Sequence, residues 1–278
     1  MERNNRALIC IPARYASTRL PAKPLQKIAG REMVWRVAEI AAYLCRRNED
    51  CEYLVATDHA EIESFCQTHD INVVMTSESC RNGTERCLDA VNRLSCKPQL
   101  IINLQGDNPL CPPWILQNII DEWKNDDGST AVYTPCVRLS WEEYAVMVEA
   151  KKTSPFSGTA VIVDKNMHAL AFSKNIIPSI RKIDEAKREN PDKSPVRRHI
   201  GLYAYTYEAL QQYFEMDESP YEKNCIEGLE QYRFLYNGFK IKVVEADYRG
   251  RETTSGVDAP EDIKRVEEII AKYGELIN

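Results

Sequence analysis

The first half of the chain alternates between short, solid apolar runs and longer stretches whose apolar residues recur at helical spacing. Residues 8–12 (Leu8-Ile9-Cys10-Ile11-Pro12) are a run of the first kind and read as a buried strand. Val34, Val37, Ile40, Ala41 and Leu44 follow at helical spacing and predict a helix over 33–46. The pattern then repeats, with strands predicted at 53–56, 72–75, 100–104 and 130–136 and helices at 60–68, 84–94 and 114–123. Strands alternating with helices of this length imply parallel strands joined by right-handed crossovers. Such sheets bind ligands beyond the carboxyl ends of their strands, which singles out residues 13–24, 57–59 and 105–109.

The alternation breaks after about residue 150. Strands are predicted at 159–163, 169–172 and 200–205 with no helix between them. Residues 181–197 are dense in charge and hold Pro191 and Pro195, so they read as a mobile surface loop, with a lid as the alternative. Ser219-Pro220-Tyr221-Glu222 reads as a capping box with proline at the first helical position, predicting a helix to Tyr236 that stops near Gly238. A last strand is expected at 239–245. Asp258-Ala259-Pro260-Glu261 opens a closing helix that ends near Tyr273.

Composition narrows the possible functions. The 278 residues suffice for one large domain or one domain with a sizeable insertion. A net charge of −6 provides no global field toward nucleic acid, so an anionic ligand needs a local cluster of cations. No run approaches the roughly 20 apolar residues of a membrane span, and the short apolar start is strand-like rather than a leader, so no membrane insertion and a cytoplasmic location are expected. Ten cysteines include no C-x-x-C pair, and there are only four histidines, so zinc spacings are absent. Cys10, Cys45, Cys66, Cys87 and Cys136 lie in apolar periodic stretches and are expected to be reduced, buried thiols.

The loop after the first strand concentrates the chemistry. Arg14, Arg19 and Lys23 fall within ten residues, stiffened by Pro12, Pro21 and Pro24. Arginine forks, a lysine point charge and backbone amides together suit a triphosphate. No Walker loop and no glycine-rich dinucleotide fingerprint is present. Asp107 ends a strand and precedes Asn108-Pro109, so taken alone it reads as a turn former; Asp258 before Ala-Pro-Glu reads as a helix N-cap. Beside a triphosphate loop the pair reads differently, since Mg²⁺ is usually held by one or two carboxylates plus phosphates.

The loop resembles the signature of the CMP-KDO synthetases, R-Y-x-S-x-R-x-P-G-K-P-L. Further matches follow in order at 55–58, 83–86, 103–107, 199–205, 229–233 and 256–262, so the resemblance spans about residues 7–272. It implies a Rossmann-like α/β nucleotidyltransferase fold with a mostly parallel sheet and a smaller mixed α/β insertion. It divides the chain into a nucleotide-binding part (1–150), an acceptor-binding and dimerisation part (151–215) and a return to the main domain (216–278). It implies transfer of a cytidylyl group from CTP to a 3-deoxy-2-keto sugar acid by a cytoplasmic homodimer with Mg²⁺ as cofactor. The implied nucleotide-binding residues are Ala13, Arg14, Ser17, Thr18, Arg19, Lys23, Thr57, Asp58, Asn82, Gly83, Thr84 and Arg86. The implied metal ligands are Asp107 and Asp258, and the catalytic group is these two with Arg14, Arg19 and Lys23. The implied acceptor residues are Gln105, His199, Tyr203, Glu230 and Gln231. The chain departs from the family pattern at Ala22 (usually Gly), Asn108 (usually Glu), 79–82 and Ala160 (usually Lys), which leaves a different sugar acid open. An alditol phosphate acceptor and a catalytically inactive nucleotide-binding homologue are the other readings.

Overall fold

The computed structural model describes residues 6–17, 19–252 and 256–277. In chain order the elements begin with β1 (Ala7–Ala13), the short hairpin β2 (Lys27–Ile28) and β3 (Arg31–Glu32), α1 (Met33–Cys45), β4 (Cys51–Thr57), α2 (Ala60–Thr68), β5 (Val73–Met75), α3 (Gly83–Asn92), β6 (Leu100–Asn103) and α4 (Pro113–Asn125). They continue with β7 (Val132–Arg138), α5 (Trp141–Thr153), β8 (Thr159–Val163), β9 (Ala169–Ser173), α6 (Ile183–Glu189) and β10 (Arg197–His199). The last are β11 (Tyr203–Thr206), α7 (Tyr207–Gln212), α8 (Tyr232–Tyr236), β12 (Ile241–Glu245) and α9 (Pro260–Tyr273).

The chain forms two compact units. The first comprises residues 1–124, 202–211 and 248–278, and the second 125–201 and 212–247. In the first, β5, β4, β1 and β6 lie side by side in that order, all parallel, and β11 joins β6 antiparallel. Ile9, Cys10 and Ile11 are wholly buried, as are Val34 and Val37 of α1, which explains the solid run in one and the helical spacing in the other. A second apolar cluster joins Leu20 of the first loop to Ile28, Met33, Leu110, Val257, Val266 and Ile269.

In the second unit β12 pairs parallel with β7, while β7–β10, β10–β8 and β8–β9 are antiparallel. Tyr232 holds the β9 side, its hydroxyl accepting from the Phe172 amide and donating to the Phe172 carbonyl. One helix here has no sequence expectation behind it, and three local expectations fail. The segment 141–153 is helical, opened by a capping box between Ser140 and Glu143 that the apolar pattern concealed because only Trp141 and Met147 are buried. The stretch 181–197 is not wholly loop, since α6 occupies its middle with no buried residue. Of the strand expected at 200–205 only 203–205 is strand, as part of β11, while β10 ends at His199, so His199 and Tyr203 do not share one strand. The helix expected from Ser219 to Tyr236 is a single 3₁₀ turn, Pro220–Glu222, and the short α8. Ser219 does accept from the Tyr221 amide, but Glu222 pairs with the buried Arg233, so it does not return to cap the turn.

Among the described residues no helix is long and apolar enough to cross a membrane. Cys10, Cys66, Cys87 and Cys136 are buried, and burial pushes the Cys66 and Cys136 thiols up to about 12. Cys45 is half-buried, its sulfur 2.8 Å from that of Cys51.

Candidate active site

The site in the first unit is built where the parallel strands end. Ala13 closes β1 and is in register with Thr57, which closes β4. Gly106, in the loop after β6, donates its amide to the Pro12 carbonyl at 3.3 Å. A Cβ at Gly106 would fall 2.6 Å from that same oxygen, so only glycine lets the two loops approach this closely. The first loop is anchored at its far end by Leu20 in the apolar cluster. It then turns through Ala22, in the left-handed region at φ 49° and ψ 38°, into a 3₁₀ turn that starts at Lys23. The departure from glycine at this position therefore carries backbone strain.

That turn delivers the Lys23 ammonium between two carboxylates far apart in sequence. Its Nζ lies 2.7 Å from Asp107 Oδ2 and 3.2 Å from Asp258 Oδ1. Arg19 adds a second contact to Asp258 Oδ1 at 3.1 Å. The Arg19 and Asp258 side chains are 66% and 47% exposed, so this end of the cluster is open to an incoming ligand. Arg14 is exposed on the same loop. Asp258 is not the N-cap that its sequence suggests. Ala259 holds that position, and Asp262 takes the amides of Asp258 and Ala259. Nor is Asp107 spent on a turn, for its carboxylate faces Lys23 and its carbonyl accepts from the Val257 amide at 2.8 Å.

The residues expected at the nucleoside end divide into two groups. Arg86 is almost fully buried and committed, donating to Asp58 Oδ2 and Thr76 Oγ1, each at 2.7 Å. Asp58 in turn accepts from the Tyr15 amide at 3.4 Å, so this buried pair ties α3 and β4 to the first loop. Thr57 is buried, and its carbonyl accepts from the Thr76 amide and hydroxyl. Asn82 caps α3 by accepting from the Glu85 amide at 2.8 Å. Gly83 lies against Gln105, whose side-chain nitrogen would be 3.0 Å from a Cβ there. Thr84 is buried with its hydroxyl 3.3 Å from that of Tyr205. Ser17 accepts from the Leu20 amide at 3.4 Å, and Thr18 lies outside the described residues. A stacked pair that sequence reasoning missed, Tyr15 on His59 with ring centres 3.6 Å apart, stands at the same loops.

The residues expected at the acceptor lie in both units. In the first, the Gln105 side chain donates to Asn103 Oδ1 at 2.8 Å, and Tyr203 on β11 is in register with Asn103 and stacks on Tyr205. In the second, His199 Nε2 meets Thr134 Oγ1 at 2.8 Å and the ring packs edge-on against Phe172. Burial, with a smaller contribution from Lys174, lowers His199 to about 3, so the ring is neutral. Gln231 is buried just before α8 rather than on a solvated helix face, while Glu230 is half-buried in the same turn. Ala160 is wholly buried on β8, opposite Arg198 on β10 and Ser173 on β9. Thr134 escaped notice because it lies inside an apolar strand.

Charges gathered at the strand ends of a parallel α/β sheet suit a polyphosphate, and known proteins carry the same arrangement of sequence. A model of the family described as cytidylyltransferase matches residues 8–241. The 3-deoxy-manno-octulosonate cytidylyltransferase of Maricaulis maris is 45% identical over 97% of this chain and 99% of its own length. The enzyme of that name from Neisseria meningitidis serogroup C is 39% identical over 93% of this chain and 96% of its own. Among solved structures, a CMP:2-keto-3-deoxy-manno-octonic acid synthetase complexed with CTP is 32% identical, with a TM-score of 0.81 over 96% of this chain and 99% of that one. Sequence and fold thus agree over nearly the whole length, and the chain belongs to the cytidylyltransferase family, in the branch of the CMP-KDO synthetases.

Proposed function

We propose that this enzyme transfers the cytidylyl group of CTP to the anomeric hydroxyl of KDO, giving the CMP-sugar and pyrophosphate. The observation that carries the reading is the convergence of Lys23, Asp107 and Asp258 beyond the ends of β1 and β6. The sugar hydroxyl oxygen forms a bond to the α-phosphorus and gives up its proton to water, while the bond from that phosphorus to the bridging oxygen breaks and the pyrophosphate leaves with the electron pair. Arg14, Arg19 and Lys23 bind the triphosphate and offset the charge that builds on it. Gly106 and the stiff first loop hold these cations in place before the nucleotide arrives, so little ordering remains to be done on binding.

Mg²⁺ fits the two carboxylates. Both have an oxygen within hydrogen-bond reach of one nitrogen, so a single small cation can meet them together. Among the described residues no three acidic, cysteine or histidine side chains converge into a metal cage, so such a cation would need its other ligands from outside the protein, which suits Mg²⁺. When bound by Asp107 and Asp258 it supplies charge neutralisation at the phosphates and acidifies the attacking hydroxyl. Gln105 and Tyr203, with His199, Glu230 and Gln231, are proposed to recognise the sugar acid. A neutral His199 reads a hydroxyl by hydrogen bonding rather than by charge. A cytoplasmic homodimer is the proposed state. The free cysteines suit a reducing compartment, and the exposed apolar side chains Val146, Phe156 and Leu170 of the second unit supply material for a subunit contact.

Pyrophosphate release with each of the four nucleoside triphosphates against a panel of keto sugar acids tests the proposal. CTP with KDO should give the highest kcat/KM. Tighter binding of a purine nucleotide, or faster turnover of another sugar acid, overturns it.

A further inference from the structure

Asp258 faces a conflict that its sequence position creates. It stands at the amino end of α9, a helix of 14 residues. The exposed amides and positive dipole end of such a helix attract any nearby carboxylate. Aspartate is among the best residues for that task. Yet the Asp258 carboxylate points at Lys23 and Arg19. Something else must satisfy the backbone here, and Ala259 at the N-cap position has only a methyl group.

Asp262, in the first turn of α9, does so. Its Oδ2 accepts from the amide of Asp258 at 2.8 Å and from the amide of Ala259 at 2.9 Å. The segment is pinned on either side. Val257 is wholly buried in the apolar cluster and donates its amide to the Asp107 carbonyl, while Pro260 has a fixed φ and no amide to donate. Between those two anchors lie two amides, and one carboxylate oxygen takes both. We propose that Asp262 is a positioning residue: by holding the backbone at 258 and 259 and neutralising the helix end, it keeps the Asp258 carboxylate turned toward Lys23 and Asp107. Without it, Asp258 becomes the anion best placed to cap α9 and swings away from the site. This rests on the proposed role of Asp258 as a ligand of the Mg²⁺–CTP complex.

The test uses four variants of the full chain: Asp262→Ala, Asp262→Asn, Asp258→Asn, and Asp258→Asn combined with Asp262→Ala. For each, turnover is measured across Mg²⁺ concentrations, Mg²⁺ is titrated calorimetrically into enzyme saturated with a non-hydrolysable CTP analogue, and thermal stability is recorded. Asp262→Ala should raise the Mg²⁺ midpoint about tenfold in both the kinetic and the calorimetric titration. Asp262→Asn keeps an acceptor oxygen and should restore most of the affinity. In the Asp258→Asn background, Asp262→Ala should cost no further turnover while still lowering Tm. The proposal is overturned if Asp262→Ala lowers Tm but leaves both Mg²⁺ midpoints unchanged, or if it reduces turnover by the same factor in both backgrounds, because either result makes Asp262 a helix cap only. Full turnover of Asp258→Asn would instead sink the role of Asp258, and this proposal with it.

Discussion

The two units handle polar chemistry in opposite ways. In the first, ionised side chains meet in the open: Lys23, Arg19, Asp107 and Asp258 form a chain of ion pairs with half-exposed members at one end. In the second, the candidate groups are withdrawn and His199 is kept neutral by burial, with a threonine hydroxyl as its partner. The contrast suits the proposed roles: a triphosphate calls for ionised partners, whereas sugar hydroxyls can be read by neutral groups whose unpaired state would be costly.

The largest effect should come from Asp107→Asn. Removing one of the two carboxylates should lower kcat by about 10²–10³-fold, as for the loss of a charge-stabilising contact, with Tm within a few degrees of the parent enzyme. Unchanged kcat would dissolve the contrast between the units. Gly106→Ala strikes the same site through packing. Its Cβ would lie 2.6 Å from the Pro12 oxygen, and the two loops must separate. A stability loss of about 1–3 kcal/mol in urea unfolding is expected, with a raised KM for CTP.

His199 sharpens the other side of the comparison through pH. Its native value is lowered from 6.5 to about 3, so below about pH 6.5 the unfolded chain binds a proton that the native chain does not. Stability contributed by this residue is therefore complete above about 6.5 and falls as the pH drops toward 3, by at most about 1.4 kcal/mol per unit. Urea unfolding at pH 7 and pH 5 should show a smaller difference for His199→Gln than for the parent chain. The smallest effect is expected at Ala22→Gly. It relieves the left-handed strain at φ 49°, offset by the freedom glycine has when unfolded, for a net gain of about 0.5–1 kcal/mol read as a rise in Tm.

Much of this is legible in the sequence, but unevenly. In the first unit β1 and α1 are mostly buried, so apolar spacing locates them to within about two residues. The observed α2, Ala60–Thr68, coincides with its expected span. In the second unit the spacing misleads. The side chains of α5 are mostly exposed, so the helix leaves no apolar stripe, and its only signal is the cap at Ser140. The helix signal at Ser219 is real locally but loses Glu222 to Arg233, which is a tertiary demand.

The sequence by itself determined that the first strands run parallel and which loops stand at their ends, because alternation and burial act over neighbouring residues. It also determined which charged side chains are available there. Only the tertiary structure decided how those charges are used. It committed Arg86 to a buried pair with Asp58, gave one lysine to two aspartates 84 and 235 positions away, and moved the capping of α9 from Asp258 to Asp262. Hydrogen bonds and ion pairs are set by distances in space, and a carboxylate with several partners in reach goes to the one that the surrounding packing holds in place.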